Sequence, residues 1–205
     1  NSIEDLVFFS YDVTNGNKYE NQTVKLGENL DFNSAKSYAN PDRTDFEEYG
    51  YSESLKELLI SGVGFIPIGS QDGTNSFYGI FDGNNKVIRS LYINIKSEEI
   101  LKAGLFANSN GVIQNLGLID VNIVAEGKKA VAVGGIIGKV NNSDVYNSYV
   151  TGNINVIGNY WTQVGGICGN MEQLAEEGNI KNCYNLTNIN VINNQKESGT
   201  ADIGC

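Results

Sequence analysis

The amino-acid sequence predicts an all-β protein, a right-handed parallel β-helix with three short strands per rung, closed at its N-terminal end by an α/β cap. Three observations carry this expectation. From about Val87 onward, three short apolar patterns recur in fixed order. Gly104, Gly135 and Gly166 are evenly spaced along the chain, which sets the length of one rung. The first part of the chain does not repeat and opens with a helix signature. A unit of this size cannot bury its apolar face alone, whereas stacked units can, each strand pairing with its counterpart one rung on.

The N-terminal segment reads as follows. Ser2 is an N-cap with Asp5 three residues on, and Ile3, Leu6, Val7 and Phe9 follow at helical spacing. The helix should run from Ile3 to Val13 and stop at Asn15-Gly16. Thr23 to Phe32 alternates apolar and polar and reads as a strand. Asn33 to Gly50 is a polar, acidic excursion holding Asp42, Asp45, Glu47 and Glu48. Ser52 caps a second short helix, Glu53 to Ile60. Phe77 to Phe81 and Val87 to Leu91 flank Asp82-Gly83-Asn84-Asn85, the mark of a hairpin or tight corner. A solenoid needs a cover over its first rung, because a bare strand edge invites pairing with other chains. The helix at Ile3 is the candidate.

In the repeats, the first pattern is Ile88-Arg89-Ser90-Leu91, Ile113-Gln114-Asn115-Leu116, Val145-Tyr146-Asn147-Ser148 and Ile180-Lys181-Asn182-Cys183. Ser90, Asn115, Asn147 and Asn182 should then stack, the amides in a hydrogen-bonded ladder. The second pattern is the alternating strand Asn94-Ile95, Val121-Asn122-Ile123, Ile154-Asn155-Val156 and Ile189-Asn190-Val191. The third is Gly104-Leu105-Phe106, Gly135-Ile136-Ile137 and Gly166-Ile167-Cys168, with a further copy at Ala201 to Cys205. The step from Gly166 to Gly204 is longer than the others, and the excess falls in Met171 to Gly178 as a surface loop. The organisation expected is therefore 1–86, a cap and first rungs with an inserted loop and helix at 34–62, then 87–205, repeats cut off at the end. The chain reads as a piece of a longer protein.

Composition narrows the chemistry. Histidine is absent, which excludes within these residues His-ligated zinc and every Ser/His or Cys/His nucleophile pair. Fourteen basic residues against 24 acidic ones give a net charge of −10, so nucleic acid and anionic membranes are repelled. Asparagine is unusually abundant and supplies solubility that charge usually supplies. The longest uncharged apolar run, Ala130 to Gly138, is too short to span a bilayer, so no membrane insertion is expected. Cys168, Cys183 and Cys205 form no metal motif or disulfide framework and read as small buried hydrophobes. Asp72-Gly73-Thr74-Asn75 and Asp82-Gly83-Asn84-Asn85 offer oxygens to a cation but read first as turns. Asp120, aligned with Gly152 and Thr187, and Asp144, aligned with Val112 and Asn179, lack an acidic neighbour of the kind a glycosidase needs. No catalytic residue, metal or cofactor is expected. Tyr160 and Trp161, the latter the chain's sole tryptophan, sit in the turn before Gly165-Gly166 as candidate ligand-binding residues. Tyr38, Tyr49 and Tyr51 make a weaker second patch.

Several of these pieces together resemble bacterial surface proteins carrying the GLUG repeat. They are Leu6-Val7-Phe8-Phe9 with Val13-Thr14-Asn15-Gly16, Val24 to Phe32, Phe65-Ile66-Pro67-Ile68-Gly69, Phe77 to Asn84, and the Gly-Leu-Phe and Gly-Gly-Ile-Ile-Gly units. Ser34 to Gly62 stands as an insertion in that pattern. The resemblance implies a right-handed parallel β-helix in a secreted or wall-anchored protein. The family includes adhesin-like proteins and the region upstream of the catalytic domain in metallopeptidases that cleave immunoglobulin A. The zinc motif of those peptidases has no counterpart here, since the chain lacks histidine. The function expected is a non-catalytic extracellular stalk or binding module of a bacterial cell-surface protein, adhering to host or matrix glycoproteins or their glycans. Two other classes stay open: the substrate-positioning region of an immunoglobulin A protease-like enzyme, and a carbohydrate-active β-helix enzyme.

Overall fold

A computed structural model describes residues 2–32, 64–171, 178–194 and 201–204. Helix α1 spans Ile3–Thr14. Strands β1 (Thr23–Lys25) and β2 (Leu30–Asp31) open the first coil. The second coil is β3 (Ile80–Arg89), β4 (Tyr92–Ser97), β5 (Leu101–Ala103) and β6 (Phe106–Ser109). The third is β7 (Val112–Gly127), β8 (Val131–Gly134) and β9 (Ile137–Val140). The fourth is β10 (Asp144–Tyr146), β11 (Tyr149–Gly158), β12 (Thr162–Gly165) and β13 (Cys168–Met171). Strands β14 (Ile180–Lys181), β15 (Tyr184–Asn193) and β16 (Ala201–Gly204) belong to the fifth. Each named strand pairs in parallel with its counterpart one coil away, in three sheets. One sheet has nine strands, one is β5-β8-β12-β16, and one is β6-β9-β13. The fold is the parallel β-solenoid that the repeat requires. No helix among the described residues is long and apolar enough to cross a membrane.

The helix forms where Ser2 and Asp5 place it. The Ser2 side chain accepts from the Asp5 backbone N–H, and the Asp5 carboxylate accepts from the Ser2 N–H, so the helix start is satisfied from both sides. It runs one residue past the expected end, to Thr14. Its buried face is Leu6, Val7, Phe9 and Val13. Phe9 lies 5.5 Å from Phe77 and 5.8 Å from Phe81, ring centre to ring centre, and 5.0 Å edge-on from Tyr19. The helix thus closes the apolar interior at the N-terminal end. Away from this end the column Phe81, Ile113, Val145 passes from an aromatic ring to aliphatic side chains, and Ile180, which follows Val145, is exposed. On the last coil, Tyr184, Leu186, Ile192 and Ile203 are exposed.

Several local expectations need correction. Thr23 to Phe32 is two short strands, both paired to β3, because Gly27 and Asn29 interrupt the ladder. Of the two alternatives expected at Asp82 to Asn85, the tight corner is the one that forms, within β3. Asn84 and Asn85 take φ of 52° and 57°, which turn the chain while parallel pairing to β7 resumes beyond them. The three strands per rung are not separate everywhere. β7 runs for 16 residues and bends at Asn115 (φ 54°) and Asp120 (φ 55°) without leaving the sheet. A single left-handed residue changes direction at the cost of one pairing step.

The register also moves three alignments. Ser90 stands outside the asparagine column: Ile88 pairs with Leu118 and Arg89 with Ile119, which puts Ser90 at the Asp120 corner. Asp82, paired with Gln114, is the residue that meets Asn115. In the second pattern Ile123 pairs with Ile93 and Ile154, so Asn122 aligns with Asn153 and Asn188 instead of Asn155. Gly204 pairs with Gly165 and not with Gly166. The extra length of this rung is shared equally by two connections. Val140 to Val145 becomes the longer Met171 to Ile180, and Gly158 to Thr162 becomes the longer Asn193 to Ala201. Strand length is held by pairing, so added residues accumulate in connections. The expected helix Glu53 to Ile60 and the acidic excursion before it lie outside the described residues, as does Cys205.

Asn115, Asn147 and Asn182 form one column. The Asn147 amide donates to Asn115 Oδ1 at 3.2 Å and Asn182 donates to Asn147 Oδ1 at 3.2 Å. Asn115 donates in turn to Asp82 Oδ1 at 3.0 Å. All three asparagines have φ between 47° and 55°, so each side chain serves a corner and a ladder together. Gly135 lies at another corner, where a Cβ would stand 2.5 Å from the Gly166 carbonyl oxygen.

Two outcomes test this account. Phe9→Ala should lower stability by about 3–5 kcal/mol in urea unfolding, since it removes the ring that closes the interior. Asn147→Ala should cost about 1–2 kcal/mol, and Asn147→Gly distinctly less. Glycine loses the same exposed hydrogen bonds but accepts the positive φ; equal losses would assign the whole cost to the ladder.

Candidate functional site

Three successive turns build the candidate site. They are Glu98–Ile100 before β5, Lys128–Ala130 before β8 and Asn159–Trp161 before β12. Leu101 pairs with Val131 and Val131 with Thr162, so Ile100, Ala130 and Trp161 fall in one column. Backbone bonds fix it: the Leu101 N–H donates to Ala130 O at 2.9 Å and the Val131 N–H to Trp161 O at 2.8 Å. Two residues on, Lys102, Ala132 and Gln163 form a second column. In both columns the middle residue is alanine. Side chains in a strand stand perpendicular to the sheet, so the short middle residue leaves a groove along β8, walled by its longer neighbours.

Trp161 and Tyr160 form one rim. Their rings stack with centres 5.2 Å apart and 22° between planes. Trp161 remains 53% exposed and Tyr160 42%, so they pack on each other without entering the core. One end of the groove, about 430 Å³, is walled by these rings with Ile100, Ala130, Lys128 and Lys129. The adjoining end, about 390 Å³, is lined by Lys102, Ala132, Gln163, Lys139, Asn170 and Asp72. The first end is apolar and the second mixed, since Ile100, Ala130, Val131 and Trp161 also line it.

Charges around the groove are set by register. Lys128 pairs with Glu98 at 2.7 Å and Lys129 with Glu99, each across one coil. These pairs are exposed, and solvent screens them strongly. The Asp72 carboxyl is held down to about 2, mainly by the Ser70 hydroxyl, with the Thr74 N–H and hydroxyl adding to it. Both Asp72 oxygens are thus taken by their own turn, which leaves little for a cation. Asp82 is likewise engaged by Asn84, Asn115 and Lys25. No group of three metal-ligating side chains occurs among the described residues. Asp120 meets Arg89 at 3.1 Å; its backbone N–H donates to the Thr151 hydroxyl, and Gly152 pairs with Val121 rather than with Asp120. Asp144 accepts from Asn179 at 2.8 Å.

Gly104, Gly135 and Gly166 lie away from the groove, at the corner joining the β5-β8-β12 sheet to the β6-β9-β13 sheet. Asn115, Asn147 and Asn182 lie at a corner of the nine-stranded sheet. Tyr38, Tyr49 and Tyr51 are outside the described residues. Sequence reasoning found the aromatic rim and missed the groove it borders. The signal was available: with the rungs aligned on their glycines, Ala130 and Ala132 are small where residues above and below are large.

A coil of parallel strands carrying a surface groove defines a β-solenoid repeat module. The GLUG motif matches residues 130–155, which cover β8, β9, β10 and most of β11, and the chain carries that motif. The motif is a repeat module, not a catalytic domain. No curated protein and no solved structure matches the chain.

The thiols give a check on local packing. Burial pushes the Cys168 thiol up to about 12, against backbone hydrogen bonds that lower it, and also raises Cys183. Thiolate is the reactive form. In the folded chain Cys168 should react with an alkylating reagent at pH 8 at least tenfold more slowly than in urea, as read by mass spectrometry.

Proposed function

We propose that this chain is an extracellular binding module of a bacterial cell-surface protein, adhering to host or matrix glycoproteins through their glycans. The observation that carries the reading is the exposed, mutually stacked Tyr160–Trp161 pair on the rim of a groove. An exposed tryptophan face is costly in water and offers a flat apolar surface with a polar edge, the surface that a sugar ring stacks on. Regular coils present that face at a fixed position on a stiff support, as an adhesive stalk needs. The resemblance to GLUG-repeat surface proteins supports the same location.

The test is a glycan and mucosal glycoprotein array, immunoglobulin A included, probed with the chain and with Trp161→Ala. Binding to a defined ligand set, lost at least tenfold in the variant with unfolding unchanged, is the expected result. Binding that survives the substitution, or none on the whole array, would sink the reading.

A further inference from the structure

At its apolar end the groove is a slot with two walls, and the width between them selects a ligand. Ile100 stands on the β5 side and Trp161 on the β12 side, with Ala130 as the floor between them. The three lie on successive coils, so the wall residues are two strand spacings apart, about 9.6 Å from backbone to backbone. Ile100 is 47% exposed and Trp161 53%, so both side chains stand out to solvent above the alanine. Tyr160 stacks on the indole and restricts it. Apolar atoms rest in contact at about 3.5–4.0 Å between centres. One ring seated edge-on over Ala130 makes two such contacts, which span about 7–8 Å and fit the slot. Two rings side by side need a third contact and do not fit.

A ring held this way has both faces against apolar surface, and the Ile100 side chain has no donor or acceptor to offer. A hydroxyl standing axially on either face would be buried without a hydrogen-bond partner, which costs about tenfold in affinity or more. An equatorial hydroxyl lies in the ring plane instead. It points out to water or along the groove toward Gln163, whose Oε1 accepts from the Asn170 amide and whose Nε2 remains a donor. Charge narrows the choice further. The lysines at this end are paired, Lys128 with Glu98 and Lys129 with Glu99. Lys102 and Lys139 at the adjoining end have partners of their own. An anionic sugar would have to displace one of these pairings, on a chain whose net charge of −10 repels it.

We infer that the slot takes a neutral pyranose whose ring substituents are all equatorial, seated over Ala130 with one face on Trp161 and the other on Ile100. This rests on the glycan-binding reading and names the sugar class. Glucose and N-acetylglucosamine supply such a ring. Galactose and mannose each place one hydroxyl axially and do not.

The test measures binding of the full chain to cellotetraose, chitotetraose, the galactose and mannose tetrasaccharides of the same linkage, and a glucuronate-bearing tetrasaccharide. Wild type, Trp161→Ala and Ile100→Ala are compared, with thermal unfolding as a fold control. Cellotetraose or chitotetraose should bind about tenfold more tightly than the galactose and mannose probes, and the one that does tells glucose from N-acetylglucosamine. Ile100→Ala removes the wall that an axial hydroxyl meets, so this preference should shrink to within about threefold. The glucuronate probe should bind more weakly than cellotetraose and gain as salt rises. Three results would overturn this inference and leave the glycan-binding reading intact, provided binding is still abolished by Trp161→Ala. They are equal binding of equatorial and axial sugars, a preference unmoved by Ile100→Ala, and tighter binding of the glucuronate probe. No binding to any probe would overturn both.

Discussion

Parallel pairing in register governs this molecule. Each residue lies one strand spacing, about 4.8 Å, from its counterpart on the next coil, so its best neighbour is decided by what the sequence places one repeat away. The consequences follow by residue type. An aliphatic residue stacks on another and fills the interior. An asparagine carries both donor and acceptor and can bond to a copy of itself. A tyrosine stacks flat on a tyrosine, as Tyr149 and Tyr184 do with 1° between their rings. A charge cannot stack on its own copy, which is why Lys96, Lys128 and Lys129 face glutamates across coils. An alanine between larger residues leaves a furrow. The ladder, the ion pairs and the groove are thus one geometric rule applied to different side chains.

The rule needs a beginning. At the first coil no earlier strand supplies a neighbour, and α1 substitutes a helix face for the missing rung. The aromatic cluster of Phe9, Phe77, Phe81 and Tyr19 spans the wider gap between helix and coil that aliphatic side chains would leave unfilled. Farther along, where strand stacks on strand, aliphatic side chains such as Ile113, Val145 and Ile154 fill the interior. Tyr184, Leu186 and Ile203 on the last coil are exposed because nothing among the described residues stacks on their outer side.

Much of this was legible because the rule is periodic. The helix start was readable from Ser2 and Asp5, whose side chains act within one turn. The corner glycines and the column Asn115, Asn147, Asn182 were readable from near-equal spacing. Errors arose where period and register part company. Ser90 was placed beside Asn115 because both follow an aliphatic residue by two positions. The corner at Asn84 and Asn85 consumes extra residues, however, and shifts the pairing so that Asp82 takes the place. Asn122 was misaligned for a similar reason: the corner residues Asp120 and Gly152 turn the chain at slightly different points and change the count by one. The groove was harder still. Tyr160 and Trp161 announce themselves as large exposed rings, but Ala130 and Ala132 matter for what they lack, and only stacking turns a small residue into a space.

The asparagine column has a direction, which a stack of identical amides would not have by itself. Each amide can point either way, up or down the coil, at equal energy. A carboxylate removes that freedom, because ionised Asp82 can only accept. Asn115 must therefore turn its NH₂ toward Asp82 and its oxygen away, and Asn147 and Asn182 must follow suit. Burial favours the neutral acid at Asp82, but hydrogen bonds from Asn115 and Asn84 and the charge of Lys25 outweigh it and hold the carboxyl below its ordinary range. One anion near the N-terminal end so orders a row of dipoles across four coils, each polarising the next. A stack of repeats that looks alike from either end acquires, along this one edge, a polarity like that of a helix axis.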